Sequence, residues 1–139
     1  MNSFIKYKAS FRIGDDKLDP PEISEMLGII PDEAHRKGDP NTKVSKKGKL
    51  IEFAPFSTGL WSIKSKVGEH EDLEHHIQSL ISQLYPLKDK LVELSNRGYK
   101  MDMFCGAFTE AFGQAGFGIS SDTLLKLGEL NIELGVCIY

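Results

Sequence analysis

The sequence predicts an α+β domain in which a mostly antiparallel sheet carries helices packed on one face. Residues 4–13 alternate between apolar and polar side chains, which is typical of a half-buried strand. Between about residues 70 and 96, leucine and isoleucine recur at helical spacing, which is typical of an amphipathic helix. The chain has 139 residues, the usual size of one domain, so we expect residues 1–139 to form a single domain with one hydrophobic core.

The first strand and the first helix have the clearest local patterns. The apolar side of the strand consists of Ile5, Tyr7, Ala9, Phe11 and Ile13. Asp19 then precedes Pro20, which predicts a helix with Pro20 as its first residue and Asp19 as its N-cap. Glu22 is placed to complete a capping box. Pro31 stops the helix, because the residue before a proline is disfavoured in helical conformation.

The middle of the chain alternates between irregular and extended segments. Residues 32–49 lose periodicity and are rich in Gly, Pro and Lys, which predicts a mobile loop. Residues 50–53 and 60–67 have the character of strands. In the second of these strands we expect Trp61, Ile63 and Val67 to point inward and Ser62, Lys64 and Lys66 to point outward.

The second half begins with the long helix and ends on two strands. Pro86 interrupts the helix, so we expect a kink or a break there, and Gly98 ends it. Residues 99–105 and 131–139 are predicted strands, with a glycine-containing turn and a short helix capped by Ser120 between them. The glycines expected before this helix are Gly106, Gly113, Gly116 and Gly118. The expected inward residues of the last strand are Ile132, Leu134, Val136 and Ile138. The order β-α-β-β-α-β-α-β predicts a relative of the ferredoxin-like fold with an added helix and strand.

Composition and charge restrict the class of protein. The formal net charge is −3, so no global field attracts the chain to nucleic acid or to an anionic membrane. The charge is unevenly distributed, because residues 1–67 sum to +3 and residues 68–139 to −6. Lys6 and Lys8 lie where a secretory signal requires an apolar stretch, and no later run of about 18 apolar residues follows. We therefore expect a cytoplasmic protein with no membrane partner.

The sequence contains no recognisable catalytic or metal centre. Cys105 and Cys137 lack the spacing of a zinc or redox site, so we expect reduced, partly buried thiols. No G-x-S-x-G nucleophile motif occurs. His70, His75 and His76 fall in one acidic stretch, but a helix directs them to different sides. We therefore expect no enzyme activity, no bound metal and no cofactor.

Two charged surfaces are the candidate binding sites. The first, which we call the basic sheet set, consists of Lys6, Lys8, Arg12, Lys64 and Lys66. The second, the acidic set, lies at the start of the long helix and consists of Glu69, Glu71, Asp72 and Glu74. The loop adds Lys43, Lys46, Lys47 and Lys49 to the basic side. The basic surface suits an acidic protein or RNA, and the acidic surface suits a basic protein, because it imitates a run of phosphates.

RNA is the weaker of these expectations. An RNA-binding sheet displays stacking aromatic residues in a compact motif, whereas only the scattered Phe4, Phe104 and Tyr139 point in that direction. We therefore expect no nucleic-acid partner. The sequence does not determine an oligomeric state.

Several short motifs resemble one bacterial family. They are Leu18-Asp19-Pro20-Pro21-Glu22-Ile23, Leu27-Gly28-Ile29 with Pro31, Lys37-Gly38-Asp39, Gly59-Leu60-Trp61-Ser62, Leu73 through Pro86, and Tyr139. In this order, and over nearly the full chain, they resemble the family catalogued as "domain of unknown function 4279". The resemblance implies a small, stand-alone bacterial cytoplasmic protein, and it transfers no site residues.

Two functions are compatible with these observations. Small acidic single-domain proteins often serve as immunity proteins, and the first expectation is a cognate protein toxin neutralised by direct binding. The alternative is a small-molecule or peptide-binding regulatory domain, with its ligand held against the open face of the sheet. A toxin gene beside the gene for this chain favours the first, and an apolar cavity with a few converging polar groups favours the second.

Overall fold

The structure is a computed structural model, and it describes residues 5–110 and 116–139. The strands are β1 (Ile5–Asp15), β2 (Glu33–His35), β3 (Asn41–Val44), β4 (Leu50–Phe53), β5 (Gly59–Lys64), β6 (Lys100–Thr109) and β7 (Glu133–Ile138). The α-helices are α1 (Pro20–Leu27), α2 (Leu73–Leu84), α3 (Lys88–Asn96) and α4 (Ser121–Glu129), and a 3₁₀ turn, Tyr85–Leu87, joins α2 to α3.

Most of the strands form one five-stranded sheet. Its order is β2-β5-β1-β6-β7, with β1 in the centre. The pairs β2/β5, β1/β5 and β1/β6 are antiparallel, and β6/β7 is parallel. The helices pack on one face, which confirms the predicted α+β class. The other face of the sheet, called the open face below, is not covered by any of these helices.

The alternation in β1 separates the two faces as predicted. Tyr7 and Phe11 are buried in the core, whereas Lys6 and Lys8 are exposed. Trp61 in β5 is fully buried, and its Nε1 donates a hydrogen bond of 3.0 Å to Ser24 Oγ in α1. This bond fixes α1 on the helix face of the sheet.

The core between sheet and helices also follows the predicted pattern. Its fully buried helical side chains include Leu80, Leu84 and Leu91. Leu134 and Val136 of β7 are half-buried against it, and Ile138, predicted to be inward, is 54% exposed. The reason is that β7 is the edge strand of the sheet.

The second edge of the sheet departs from the prediction in two details. Strand β5 ends at Lys64, so Val67 lies beyond the strand in which it was expected. Ser62 was expected on the wet face, but its exposure is 2%. In the register of the sheet, Ser62 lies between Arg12 and Glu33, whose longer side chains flank it.

Helix α1 begins at Pro20, as predicted. The predicted capping box is absent, because the Asp19 side chain makes no cap hydrogen bond. It forms an ion pair with Arg36 instead. The Ile23 amide still bonds to the Asp19 carbonyl at 3.2 Å, so the backbone alone starts this helix.

The long helix predicted between residues 70 and 96 is broken rather than kinked. Helix α2 begins at Leu73, three residues later than expected, and ends at Leu84. Pro86 then lies in the 3₁₀ turn, where its missing amide and fixed φ are tolerated.

The prediction of a loop over residues 32–49 is only partly correct. They contain β2 and β3, and β3 pairs with β4 in a separate two-stranded sheet. Strand β4 was predicted, because residues 50–53 have the character of a strand. Strand β3 was not, because its side chains are almost entirely exposed and do not alternate between core and water.

The predicted glycine turn after residue 105 is also partly wrong. Gly106 lies inside β6, which extends to Thr109. Gly113 lies outside the described residues. The cap of α4 is as predicted, because the Ser120 side chain accepts a hydrogen bond of 3.3 Å from the Thr123 amide.

Candidate functional site

The open face of the sheet carries most of the basic sheet set. Lys6, Lys8 and Arg12 alternate with the buried residues of β1 and therefore lie on this face. Lys64 lies opposite Ser10 in the β1/β5 register and joins them. Strand β1 thus presents a row of cations along the centre of the sheet.

Arg12 is held in one position by its neighbours on β6. Its Nε and Nη2 donate hydrogen bonds of 2.8 and 2.6 Å to the two carboxylate oxygens of Asp102. Its guanidinium also lies 4.3 Å from the centroid of the Phe104 ring. The hydrogen bonds that Arg12 donates to Asp102 raise the pKa of Arg12. This clamp keeps Arg12 preorganised, but it leaves the guanidinium partly neutralised.

Lys66, the last member of the basic sheet set, is separated from the others. Its Nζ donates to Asp32 Oδ1 at 2.6 Å, and the Lys64 amide donates to the other carboxylate oxygen at 2.7 Å. These bonds lower the pKa of Asp32. Lys66 therefore binds Asp32, the residue that precedes β2 at the edge of the sheet.

The far end of the open face holds an aromatic pair beside a cation. The rings of Phe108 on β6 and Tyr139 are stacked, with centroids 4.7 Å apart and an interplanar angle of 8°. Lys8 Nζ lies 5.5 Å from the Phe108 centroid. An open cleft of about 390 Å³ adjoins them, lined by Lys6, Lys8, Glu69, Phe108, Thr109, Glu110 and Tyr139. The size of this cleft suits a small ligand.

The acidic set does not form one surface. Glu69 lies 3.9 Å from Lys6, Glu71 lies 3.1 Å from His75, and Asp72 is the N-cap residue of α2. Glu74 accepts a hydrogen bond of 2.6 Å from the Ser120 amide at the start of α4.

This hydrogen bond gives Glu74 a structural role. The bond to Ser120 lowers the pKa of Glu74, which keeps the carboxylate charged at the N-terminus of α4. Glu74 therefore links α2 to α4, and reversing its charge is expected to loosen that contact. A binding test of the acidic set should change Glu71 and Asp72 and leave Glu74 in place.

The histidines face different partners. The Nδ1 atoms of His70, His75 and His76 lie near the Ile5 carbonyl, the Glu71 carboxylate and the Ser65 hydroxyl, respectively. Within residues 5–110 and 116–139, no three His, Cys, Asp or Glu side chains are grouped so that they could hold a metal ion.

The cysteines are free thiols in two environments. Cys105 is buried under the sheet, whereas Cys137, which we expected to be partly buried, is exposed on the open face. Burial raises the pKa of Cys105 to about 12.

The hairpin formed by β3 and β4 exposes several large apolar side chains. Its large side chains Val44, Leu50, Ile51 and Phe53 have exposures of 69%, 58%, 40% and 50%. Its base is anchored through Phe56, whose amide and carbonyl bond to Asp39 and Gly38 and whose ring stacks on His35 at 3.4 Å. The hairpin is therefore rooted on the domain, although its own strands pair with each other in a separate sheet.

Sequence reasoning missed three parts of these surfaces. Asp102 was not paired with Arg12, because the two lie 90 residues apart. Phe108 was read as part of a turn, although Phe104, Gly106 and Phe108 alternate as one strand face. The hairpin was recognised only through its lysines and through the strand at residues 50–53, and the pairing of β3 with β4 was missed.

The structure and comparisons with known proteins bear on the class of this chain. Across the part of the chain that the structure describes, no helix is both long enough and apolar enough to cross a bilayer. The chain has no significant match among curated proteins or solved structures. The family described as "Domain of unknown function (DUF4279)" matches residues 5–139. This match covers nearly the whole chain, and it confirms the resemblance found from the short motifs. The chain therefore belongs to the DUF4279 family.

Proposed function

We propose that this chain is a small bacterial binding protein that neutralises a protein toxin in the cytoplasm, and that the β3–β4 hairpin reaches the toxin. The observation that carries the proposal is the exposure of large apolar side chains on this hairpin. Exposed apolar clusters of this kind mark interaction sites. A two-stranded hairpin is at best marginally stable alone. Val44 and Leu50 lie opposite each other on one face of the hairpin, so a partner that covers them would stabilise it while binding.

The anchoring of the hairpin supports binding as a preorganised element. The Phe56 amide donates to the Asp39 carbonyl at 3.1 Å, and the Gly38 amide donates to the Phe56 carbonyl at 2.7 Å. A segment whose base is already ordered loses less conformational entropy on association than a free loop does. The loss of conformational entropy on binding is therefore smaller than for a free loop of the same length.

The charge of the hairpin indicates the kind of toxin surface. Four lysines and one carboxylate give residues 41–53 a formal charge of +3. Complementary charge accelerates association and selects among partners. We therefore propose an acidic toxin surface, towards which the basic sheet set would add further attraction. A basic toxin would instead be drawn to Glu69, Glu71 and Asp72 of the acidic set.

The proposal is tested with the protein encoded next to this chain in its genome. Co-expression should protect cells from that protein, and surface plasmon resonance should detect a direct complex. In a variant carrying Val44→Ser and Leu50→Ser, which remove the apolar side chains from one face of the hairpin, the dissociation constant should rise by at least about 30-fold, the effect of losing one hot-spot side chain of about 2 kcal/mol.

A matched control separates this effect from a general loss of apolar surface. Leu124 and Leu125 on α4 are 47% and 61% exposed, and replacing both by Ser should leave binding and protection unchanged. Circular dichroism of both variants checks that they fold. Full protection by the hairpin variant, or no complex with the neighbouring protein, would contradict the proposal.

A second candidate function is supported by a separate observation. The cleft of about 390 Å³ beside Phe108 and Tyr139 offers stacked rings and two lysines to a small ligand or peptide. This supports the alternative of a ligand-binding regulatory domain. A ligand at this cleft would leave the hairpin free, so the two functions are compatible in one chain.

A further inference from the structure

We propose that the open face at β1, β6 and β7 binds a nucleotide unit, either free or within a single strand of nucleic acid. The base would stack on Tyr139, and its phosphate would face Lys6 and Lys8. This inference concerns a different surface from the hairpin. It therefore stands or falls independently of toxin binding.

The first observation is the geometry of the rings. Phe108 and Tyr139 lie almost parallel, with an angle of 8° between them, and Tyr139 is 60% exposed. A base stacked on Tyr139 would form the third layer of this pair. Stacking on aromatic side chains is how many single-strand binding proteins hold bases without regard to sequence.

The second observation is the absence of a side chain beneath the rings. A Cβ atom at Gly106 would lie 2.9 Å from Cε2 of Phe108 and 3.5 Å from Cε2 of Tyr139. The first distance is shorter than any normal carbon–carbon contact. A glycine at this position therefore allows the aromatic pair to lie against the sheet, which fixes the platform in place.

The third observation is the row of cations beside the platform. Lys6 lies opposite Phe108 and Lys8 lies opposite Gly106 in the β1/β6 register. Glu69 and Glu110 also line the cleft, and Glu69 is 3.9 Å from Lys6. Lys8 is closest to the rings, so we assign it the main phosphate contact.

These cations and rings together favour a nucleotide over a purely apolar ligand and over a simple anion. A purely apolar ligand would not use the lysines, and a simple anion would not use the exposed ring. A base joined to a phosphate uses both. The scattered aromatic residues of the sequence did not indicate this, because Phe108 and Tyr139 are brought together only by the parallel pairing of β6 and β7.

The test uses the intact chain and three probes. Fluorescence anisotropy measures binding of fluorescein-labelled 12-nucleotide oligo(U) RNA and oligo(dT) DNA, and calorimetry measures binding of uridine monophosphate. Saturable binding of any probe at 50 mM salt supports the proposal. Tighter binding of an oligonucleotide than of the monophosphate assigns the site to a strand, and equal affinities assign it to a free nucleotide.

Three variants locate the bound ligand. Tyr139→Ala should weaken binding at least roughly fivefold, the lower end of the effect of removing one stacking side chain. Gly106→Ala should weaken it by displacing the Phe108 ring without changing any charge. Lys8→Gln should lower the salt dependence of oligonucleotide binding by about 0.7 in the logarithmic slope, as expected for one phosphate contact on a single strand.

Matched controls lie elsewhere on the surface. Tyr85 is an exposed aromatic residue at the end of α2, and Lys66 is an exposed lysine outside the open face. Tyr85→Ala and Lys66→Gln should bind the probes as the unmodified chain does. The proposal would be overturned if no probe bound saturably at millimolar concentration. It would also be overturned if Tyr139→Ala and Lys8→Gln bound the probes as tightly as the unmodified chain does.

Discussion

Replacing Gly59 by Ala is expected to destabilise the domain, because β5 passes very close to the end of β1. A Cβ atom at Gly59 would lie 2.7 Å from the Asp15 carbonyl oxygen and 2.8 Å from Cβ of Leu18. Both neighbours are backbone or next to it, so neither can swing aside as the end of a flexible side chain would. The two strands must separate locally to admit the methyl group.

The size of the effect follows from two opposing terms. Forcing a methyl group into packed surroundings costs about 3 kcal/mol at the upper end of the usual range. Replacing Gly by Ala also restricts the unfolded chain, which contributes about 0.7 kcal/mol in favour of folding. The net loss is about 2 kcal/mol, and for a domain of this size the midpoint of thermal unfolding should fall by about 8 °C.

The matched control is Gly135→Ala in β7. A Cβ atom there would meet nothing within 4 Å, so the variant should be as stable as the unmodified chain or slightly more stable. Urea denaturation followed by circular dichroism measures both variants. Equal stability of Gly59→Ala and Gly135→Ala would refute the close approach of β1 and β5 on which this fold depends.

Two further predictions concern ionisable groups. Burial lowers the pKa of His76, so below about pH 6.5 this histidine binds a proton more readily in the unfolded chain than in the folded chain. The contribution of His76 to the free energy of unfolding is therefore fully present above about pH 6.5. It decreases as the pH falls below that value, by at most about 1.4 kcal/mol per pH unit. Urea midpoints at pH 7.5 and 5.5 should therefore differ less in His76→Leu than in the unmodified chain, and an identical pH dependence would contradict the assignment. Iodoacetamide at pH 8 should label Cys137 in the native protein and leave Cys105 unmodified, because burial raises the pKa of Cys105 to about 12. Mass spectrometry identifies the labelled thiol, and rapid labelling of Cys105 would show that it is not buried.

The parts of the fold that were predictable have side chains that alternate between core and water. Tyr7 and Phe11 were placed correctly because a strand with one buried face has a period of two. The start of α1 was predicted because Pro20 suits the first helical position. By contrast, β3 buries almost nothing, so no periodicity marked it as a strand.

The candidate sites were less predictable than the fold, because they depend on contacts between distant segments. The alternation of β1 predicted that Lys6, Lys8 and Arg12 share one face. It could not show that Asp102 holds Arg12, or that Glu74 caps α4 through the Ser120 amide. Such contacts depend on strand order and helix packing, which the local sequence does not encode in any single segment.

The proposed function is tested most directly by amide hydrogen exchange of this chain, alone and in complex with the protein encoded beside it. Exchange measured by mass spectrometry reports the surface that becomes covered without any substitution. We predict that residues 41–53 exchange rapidly in the free chain and become strongly protected in the complex, while the exposed face of α4 is unchanged. A stable complex in which residues 41–53 exchange as rapidly as in the free chain would contradict the assignment of the hairpin as the toxin-binding element.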